Sequence, residues 1–221
     1  MYKADLFSRN WAVIFSIYFF LLLSVNVNAG TGIKTFIGLS AAQVEIGGSM
    51  DGDSFVTGGG SLEILPEQDT ALGMKISYGQ FHEKRLLWEL SLVMSDHDGQ
   101  WLGFDTKSEF FGLNLDAKIH FTDWIVRPAL VIGVSLYNSV TVEDGSTDGF
   151  SVEDAKYNGV FDSLRFGGGL IIHPHENWLI DLNVVQRYGS YSNVDGIESG
   201  ELEDGIEGDG LSTEFGIKYL F

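Results

Sequence analysis

Ser95 and His97 stand two residues apart in SDHD, a hydroxyl and an imidazole of the types that nucleophilic catalysis uses, with Asp96 and Asp98 beside them. His173 and His175 flank Pro174, a pair of nitrogens that a metal could use. The stretches GGSMDGDS, EDGSTDG and ELEDGIEGDG hold carboxylate oxygens of the kind Ca²⁺ or Mg²⁺ takes, but none has EF-hand spacing. A last group of charges is scattered singly through otherwise apolar runs: Lys34, Lys75, Glu89, Asp116, Lys118, Arg127, Arg165, Asp181, Arg187, Glu214 and Lys218. No glycine-rich phosphate cradle follows a strand and opens a helix. What any of these groups can do depends on the elements that aim them.

Those elements repeat with a period of two, the signature of strands with unlike faces. Residues 31–44 put Ile33, Ile37, Leu39 and Ala41 on one face and Lys34 and Ser40 on the other. Residues 70–81 set Leu72, Met74, Ile76 and Tyr78 against Lys75 and Ser77, and residues 86–95 set Trp88, Leu90, Leu92 and Met94 against Glu89, Ser91 and Ser95. The same opposition runs through 109–121, with Asp116, Lys118 and His120 on the polar face, and through 124–137, with Arg127 and Ser135 there. It continues through 163–173 with Arg165, 178–188 with Asp181, Asn183 and Arg187, and the closing FGIKYLF with Glu214 and Lys218. Pro128 lacks the N–H that a ladder needs, so a bulge or local gap is expected there.

Eight such strands suit a barrel that turns its apolar face to lipid and its charges to a polar lumen. The leader agrees with export. Lys3 and Arg9 precede an apolar run from Trp11 to Val25, and NVNA ends on Ala29, so residues 1–29 read as a cleaved signal peptide and 30–221 as the barrel domain. With no cysteine, disulfides cannot staple the fold. A closed hydrogen-bonded barrel can hold itself.

Connections alternate in length. Three short links each run from an aromatic or His to a Trp: Phe81 to Trp88, Phe121 to Trp124 and His173 to Trp178. Trp88, Trp124 and Trp178 would form an aromatic belt at the periplasmic boundary. The other connections, residues 45–69, 96–109, 138–162 and 189–210, are rich in Asp, Glu, Gly and Ser and read as solvated extracellular loops. They carry most of a net charge of −18, which repels nucleic acid.

The leader, the eight alternating segments and the last residues together resemble the small outer-membrane β-barrel family typified by OmpX and the transmembrane domain of OmpA. The resemblance implies an all-β, eight-stranded antiparallel up-and-down transmembrane barrel in the cell outer membrane of a Gram-negative bacterium. It also implies that Phe215, Ile217, Tyr219 and Phe221 form the C-terminal signal read by the barrel assembly machinery. Some such barrels modify lipid A, with a deacylase type that pairs a lipid-facing His and Ser two residues apart with a Glu. Here the order of Ser95 and His97 is reversed and strand parity turns both toward the lumen, so no catalytic residue is assigned. An eight-stranded barrel is just wide enough for its own side chains to fill. The lumen charges are therefore expected to pair, with Asp181 and Lys218 as the leading pair. The reading is a non-enzymatic, monomeric surface barrel without cofactor or metal site, set among lipid and lipopolysaccharide, with divalent cations able to meet its acidic loops. A narrow solute channel and a lipid A-modifying enzyme are the alternatives.

Overall fold

The computed structural model describes residues 33–52, 54–56, 62–82, 85–101, 104–143, 155–160, 163–195 and 200–221. The expected signal peptide lies outside them. Eight strands form the wall: β1 (Ile33–Val44), β2 (Ala71–His82), β3 (Leu86–Trp101), β4 (Phe104–His120), β5 (Val126–Glu143), β6 (Ser163–His175), β7 (Trp178–Asp195) and β8 (Gly210–Leu220). Each pairs antiparallel with its neighbours in sequence, and β8 returns to β1 with Phe36 opposite Leu220 and Val44 opposite Ser212. The sheet is closed, so the wall has no free edge for another chain to pair with.

The two faces follow the alternation. Leu39, Phe166 and Phe215 are 58%, 55% and 51% exposed, while Lys75, Glu89, Lys118 and Lys218 are each 0% exposed. That inverts the usual order of a water-soluble domain. On β3 the outward apolar series runs Leu86, Trp88, Leu90, Leu92, Met94. Its length suits the ~9–11 residues a tilted strand needs to cross a bilayer.

Above Met94 the pattern reverses. Asp96, Asp98 and Gln100 on β3 and Asp105, Lys107 and Glu109 on β4 point outward, while His97, Thr106, Ser108 and Phe110 point in. The expected loop at 96–109 is thus largely strand, since β3 and β4 stay in register from Asp96 opposite Glu109 to Trp101 opposite Phe104. Likewise β5 runs to Glu143, Ala155–Gly159 pairs with both β5 and β7, and Gly200–Glu207 pairs with β7. In the first segment, Glu67–Gln68 joins β3 and a short helix occupies Gly48–Met50. These acidic stretches order because they hide a second apolar set. Ile46, Met50, Leu65, Phe110, Val140, Tyr157, Tyr191 and Ile206 pack into one buried cluster above the lipid-facing band.

No bulge falls at Pro128. Its side of the ladder stays regular, opposite Leu170, because it sits near the start of β5, where Phe121 N–H donates to its carbonyl over 3.0 Å. One irregularity lies higher, where Leu113 pairs with Tyr137 and Asn114 with Ser135, so that Leu136 is the extra residue, and another lies between Ile172 and His175, where Pro174 sits.

Candidate functional site

The lumen has three levels. At the short-turn end Phe36, Phe81, Leu87, Ala129, Ile171, Leu179 and Leu220 close it with an apolar floor. In the middle lies a layer of four bases and four acids. At the long-loop end the second apolar cluster forms a roof.

The ionic layer draws its charges from six of the eight strands, β2, β3, β4, β6, β7 and β8, each on the face that parity turned inward. Lys218 Nζ lies 2.5 Å from Asp181 Oδ2 and 2.6 Å from Glu89 Oε2. Lys118 Nζ shares the same two carboxylates at 2.5 and 3.4 Å. Lys75 Nζ sits 2.6 Å from both Glu89 Oε1 and Glu214 Oε2, and Arg165 joins Asp116 to Glu214 at 2.9 and 3.3 Å. Asn183 donates to Asp181 Oδ2 over 2.8 Å. None of these eight charges is more than 5% exposed. A single ion so enclosed would cost several kcal/mol, and alternating signs around a neutral cluster offset that cost.

The narrow bore makes room through glycine. A Cβ on Gly216 would overlap Ser40 Oγ and lie 2.7 Å from Asp181 Oδ1. One on Gly38 would lie 2.8 Å from the stem of Lys218. Such inward glycines were not singled out from sequence, although their parity with the charges was the available signal.

Three expected lumen charges stand apart from the layer. Lys34 lies at the short-turn rim, only half-buried, and donates to the Glu176 carbonyl over 2.8 Å. Arg127 is turned into the floor, where Nε donates to the Trp124 carbonyl over 2.9 Å and the guanidinium covers the Phe81 ring at 5.3 Å. Arg187 rises to the roof, donating to the Gly208 carbonyl over 2.9 Å and stacking on Phe110 at 4.6 Å. Parity faced them inward, but the height of each along its strand took it beyond reach of the carboxylates.

The remaining candidates divide by position. Ser95 and His97 do meet, with Oγ and Nε2 2.8 Å apart, yet both are buried inside the wall at the level of the roof. His97 Nδ1 contacts the Asp69 carbonyl at 2.7 Å, so no carboxylate orients the imidazole. His173 faces Arg127 and Phe81, while His175 is exposed, so the pair does not converge. Among the described residues no group of three or more His, Cys, Asp or Glu could hold a metal. Trp124 and Trp178 are 74% and 43% exposed at the short-turn end, Trp88 is half-buried and donates to Gln80, and Trp178 packs edge-on to Tyr219 at 5.0 Å. Phe215, Ile217, Tyr219 and Phe221 all face outward.

No protein-family model matches the chain, and no curated protein does. Solved structures do share its shape. A major outer membrane protein from Thermus thermophilus is 15% identical with a TM-score of 0.54, over 86% of this chain and 99% of that one. The outer membrane protein AlkL, determined in DMPC lipid bilayers, is 19% identical with a TM-score of 0.53, over 88% and 93%. Neisserial surface protein A is 14% identical with a TM-score of 0.51, over 86% and 97%. At such identities the likeness is one of fold. Taken with the closed eight-stranded wall, the outward apolar band and the buried charges, it makes the chain a small eight-stranded β-barrel of the outer-membrane kind.

Proposed function

We propose that the protein is a non-conducting, non-enzymatic barrel of the outer membrane whose working surface is its acidic long-loop end, held outside the cell for envelope integrity or surface contact. The observation that carries this reading is the triple closure of the lumen by floor, ionic layer and roof. A conducting path needs a continuous wet bore, and an apolar constriction excludes both water and ions. The contact between Ser95 and His97 is buried inside the wall at the level of the roof and faces away from lipid, which speaks against attack on a lipid ester.

The outward acids above the apolar band would meet the headgroup region, where divalent cations can bridge them to lipopolysaccharide phosphates. The closed wall favours a monomer, and the outward Phe215, Ile217, Tyr219 and Phe221 suit a terminal signal for the assembly machinery. Reconstitution in a planar bilayer tests the central point. No conductance steps are expected, and discrete openings would refute the closed lumen. An epitope near Gly145, outside the described residues, tests orientation: it should be labelled on intact cells, and labelling only after permeabilisation would reverse the barrel.

A further inference from the structure

Two buried bases lie at the level of the roof, and neither has a carboxylate. Arg187 on β7 is 4% exposed and donates to the carbonyls of Gly208 and Asp209, while His97 on β3 is 1% exposed. Among the described residues neither enters an ion pair, since every such pair lies in the lumen layer. His97 holds part of the roof in place. The segment that supplies Leu65 runs on through Glu67 and Gln68, which pair with Gln100 and Gly99, to Asp69, whose N–H donates to the Asp98 carbonyl over 2.8 Å. Gln68 N–H donates to Asp51 Oδ1 over 2.8 Å, which ties in the short helix and with it Met50. This strap enters on the inner side of β3, where a Cβ on Gly99 would overlap the Glu67 carbonyl. The side chain that fastens it there is His97, with Nδ1 2.7 Å from the Asp69 carbonyl.

Chemistry fixes the hydrogen-bond roles in this clasp. A carbonyl only accepts, so Nδ1 carries the hydrogen, and Nε2 of the neutral ring accepts from the Ser95 hydroxyl at 2.8 Å. A second proton on the ring turns Nε2 into a donor. Ser95 must then accept, and its own hydrogen loses its acceptor in a buried place. The added charge also has no acid to meet. Ser108, opposite His97 on β4, is neutral, the side chains of Asp96 and Asp98 on β3 turn outward, and Asp69 touches the ring through its backbone carbonyl. From β7 the facing group is Arg187, of like charge. Burial is the chief reason that His97 stays below its ordinary pKa; the Asp69 carbonyl opposes it, Arg187 adds to it and Asp96 opposes it again. Once the strap lifts, water reaches both the ring and Ser95. The open form therefore binds the proton more tightly than the closed one, and acid draws the population toward it.

We propose that His97 is an acid-operated clasp, whose protonation releases the strap Leu65–Asp69 from β3 and opens the roof while the wall stays closed. The floor and the ionic layer remain in place, so no pore forms. What changes is the long-loop end, where Met50 and Leu65 leave the buried cluster and meet water. The proposal rests on the reading of that end as the working surface and names a condition that alters it.

Hydrogen exchange read by mass spectrometry on the whole barrel in phosphatidylcholine nanodiscs tests it. Peptides over 44–52 and 63–69 report the strap, through the bonded amides of Gly47, Gln68 and Asp69, and a peptide over 86–94 reports the wall. With rates corrected for the intrinsic pH dependence of exchange, the strap should lose protection several-fold between about pH 7.5 and about pH 5 and regain it on return, while the wall keeps its own. His97→Gln offers a donor and an acceptor without a titrating charge, so the pH dependence should vanish, whether the variant's strap stays closed or stands open at both pH values. Heat-modifiable migration confirms that the variant is folded, and the wild-type comparison needs no variant at all. A strap equally protected at both pH values, a loss shared by the wall, or a pH dependence that survives in His97→Gln would each overturn the inference. A conducting barrel whose strap still answers to acid would refute only the closed lumen, and a closed barrel whose strap does not would refute only this inference.

Discussion

Replacing Lys218 by Met removes the base that bridges Asp181 and Glu89 and leaves the lumen layer one negative charge in excess. Breaking a buried pair by removing one partner costs about 3–5 kcal/mol. The low end applies here, because Asp181 keeps Lys118 at 2.5 Å and Glu89 keeps Lys75 at 2.6 Å. Taking about 3 kcal/mol and a urea slope of about 2 kcal/mol per molar, the unfolding midpoint in lipid vesicles should fall by about 1.5 M. Adding Asp181→Asn restores neutrality, with Lys75, Lys118 and Arg165 facing Glu89, Asp116 and Glu214. The double variant should then recover roughly half the loss, because Glu89 keeps Lys75 and Lys118 but still lacks its close contact with Lys218. The assay is reversible unfolding followed by tryptophan fluorescence and by heat-modifiable mobility. If the two substitutions destabilise additively, the pair is not coupled. Water must then reach the layer, and the closed-lumen argument fails with it.

Gly216→Ala should destabilise by about 1–3 kcal/mol, since its Cβ would overlap Ser40 and press on Asp181. Gly168→Ala serves as the control, because its Cβ faces outward and meets only the Ala129 carbonyl at 3.7 Å; equal losses at both sites would discount the crowding argument. Phe221→Ala should slow insertion while leaving intact the two backbone bonds between residue 221 and Thr35, at 2.9 and 3.1 Å; a normal rate in pulse-chase labelling would remove the aromatic from the assembly signal. Burial holds His97, which lies above the lipid-facing band, below its ordinary pKa of 6.5. As pH falls from about 7 to 5 the unfolded chain therefore takes a proton that folded His97 resists, and stability declines. His97→Gln should reduce that decline, and an unchanged pH slope of the urea midpoint would show that His97 does not titrate as argued.

The sequence by itself determined the wall and the sign of each face. A strand has a period of two, so once Leu90 points to lipid Glu89 must point inward, and this holds for Lys75, Asp116, Lys118, Arg165, Asp181, Glu214 and Lys218 alike. Parity carries no height, however. Only the stagger of neighbouring strands placed Lys34 at the rim, Arg127 in the floor and Arg187 in the roof, while bringing Asp181 and Lys218 together from strands where Asp181 lies opposite Gly216. Nor does local composition reveal a core assembled from distant pieces. Met50, Tyr157, Tyr191 and Ile206 each sit singly in acidic, glycine-rich surroundings that cannot order alone, and Leu65 and Phe110 each have one apolar neighbour in sequence. Closure of the barrel gathers them into one buried cluster, and that gathering turns stretches that read as loops into ordered wall.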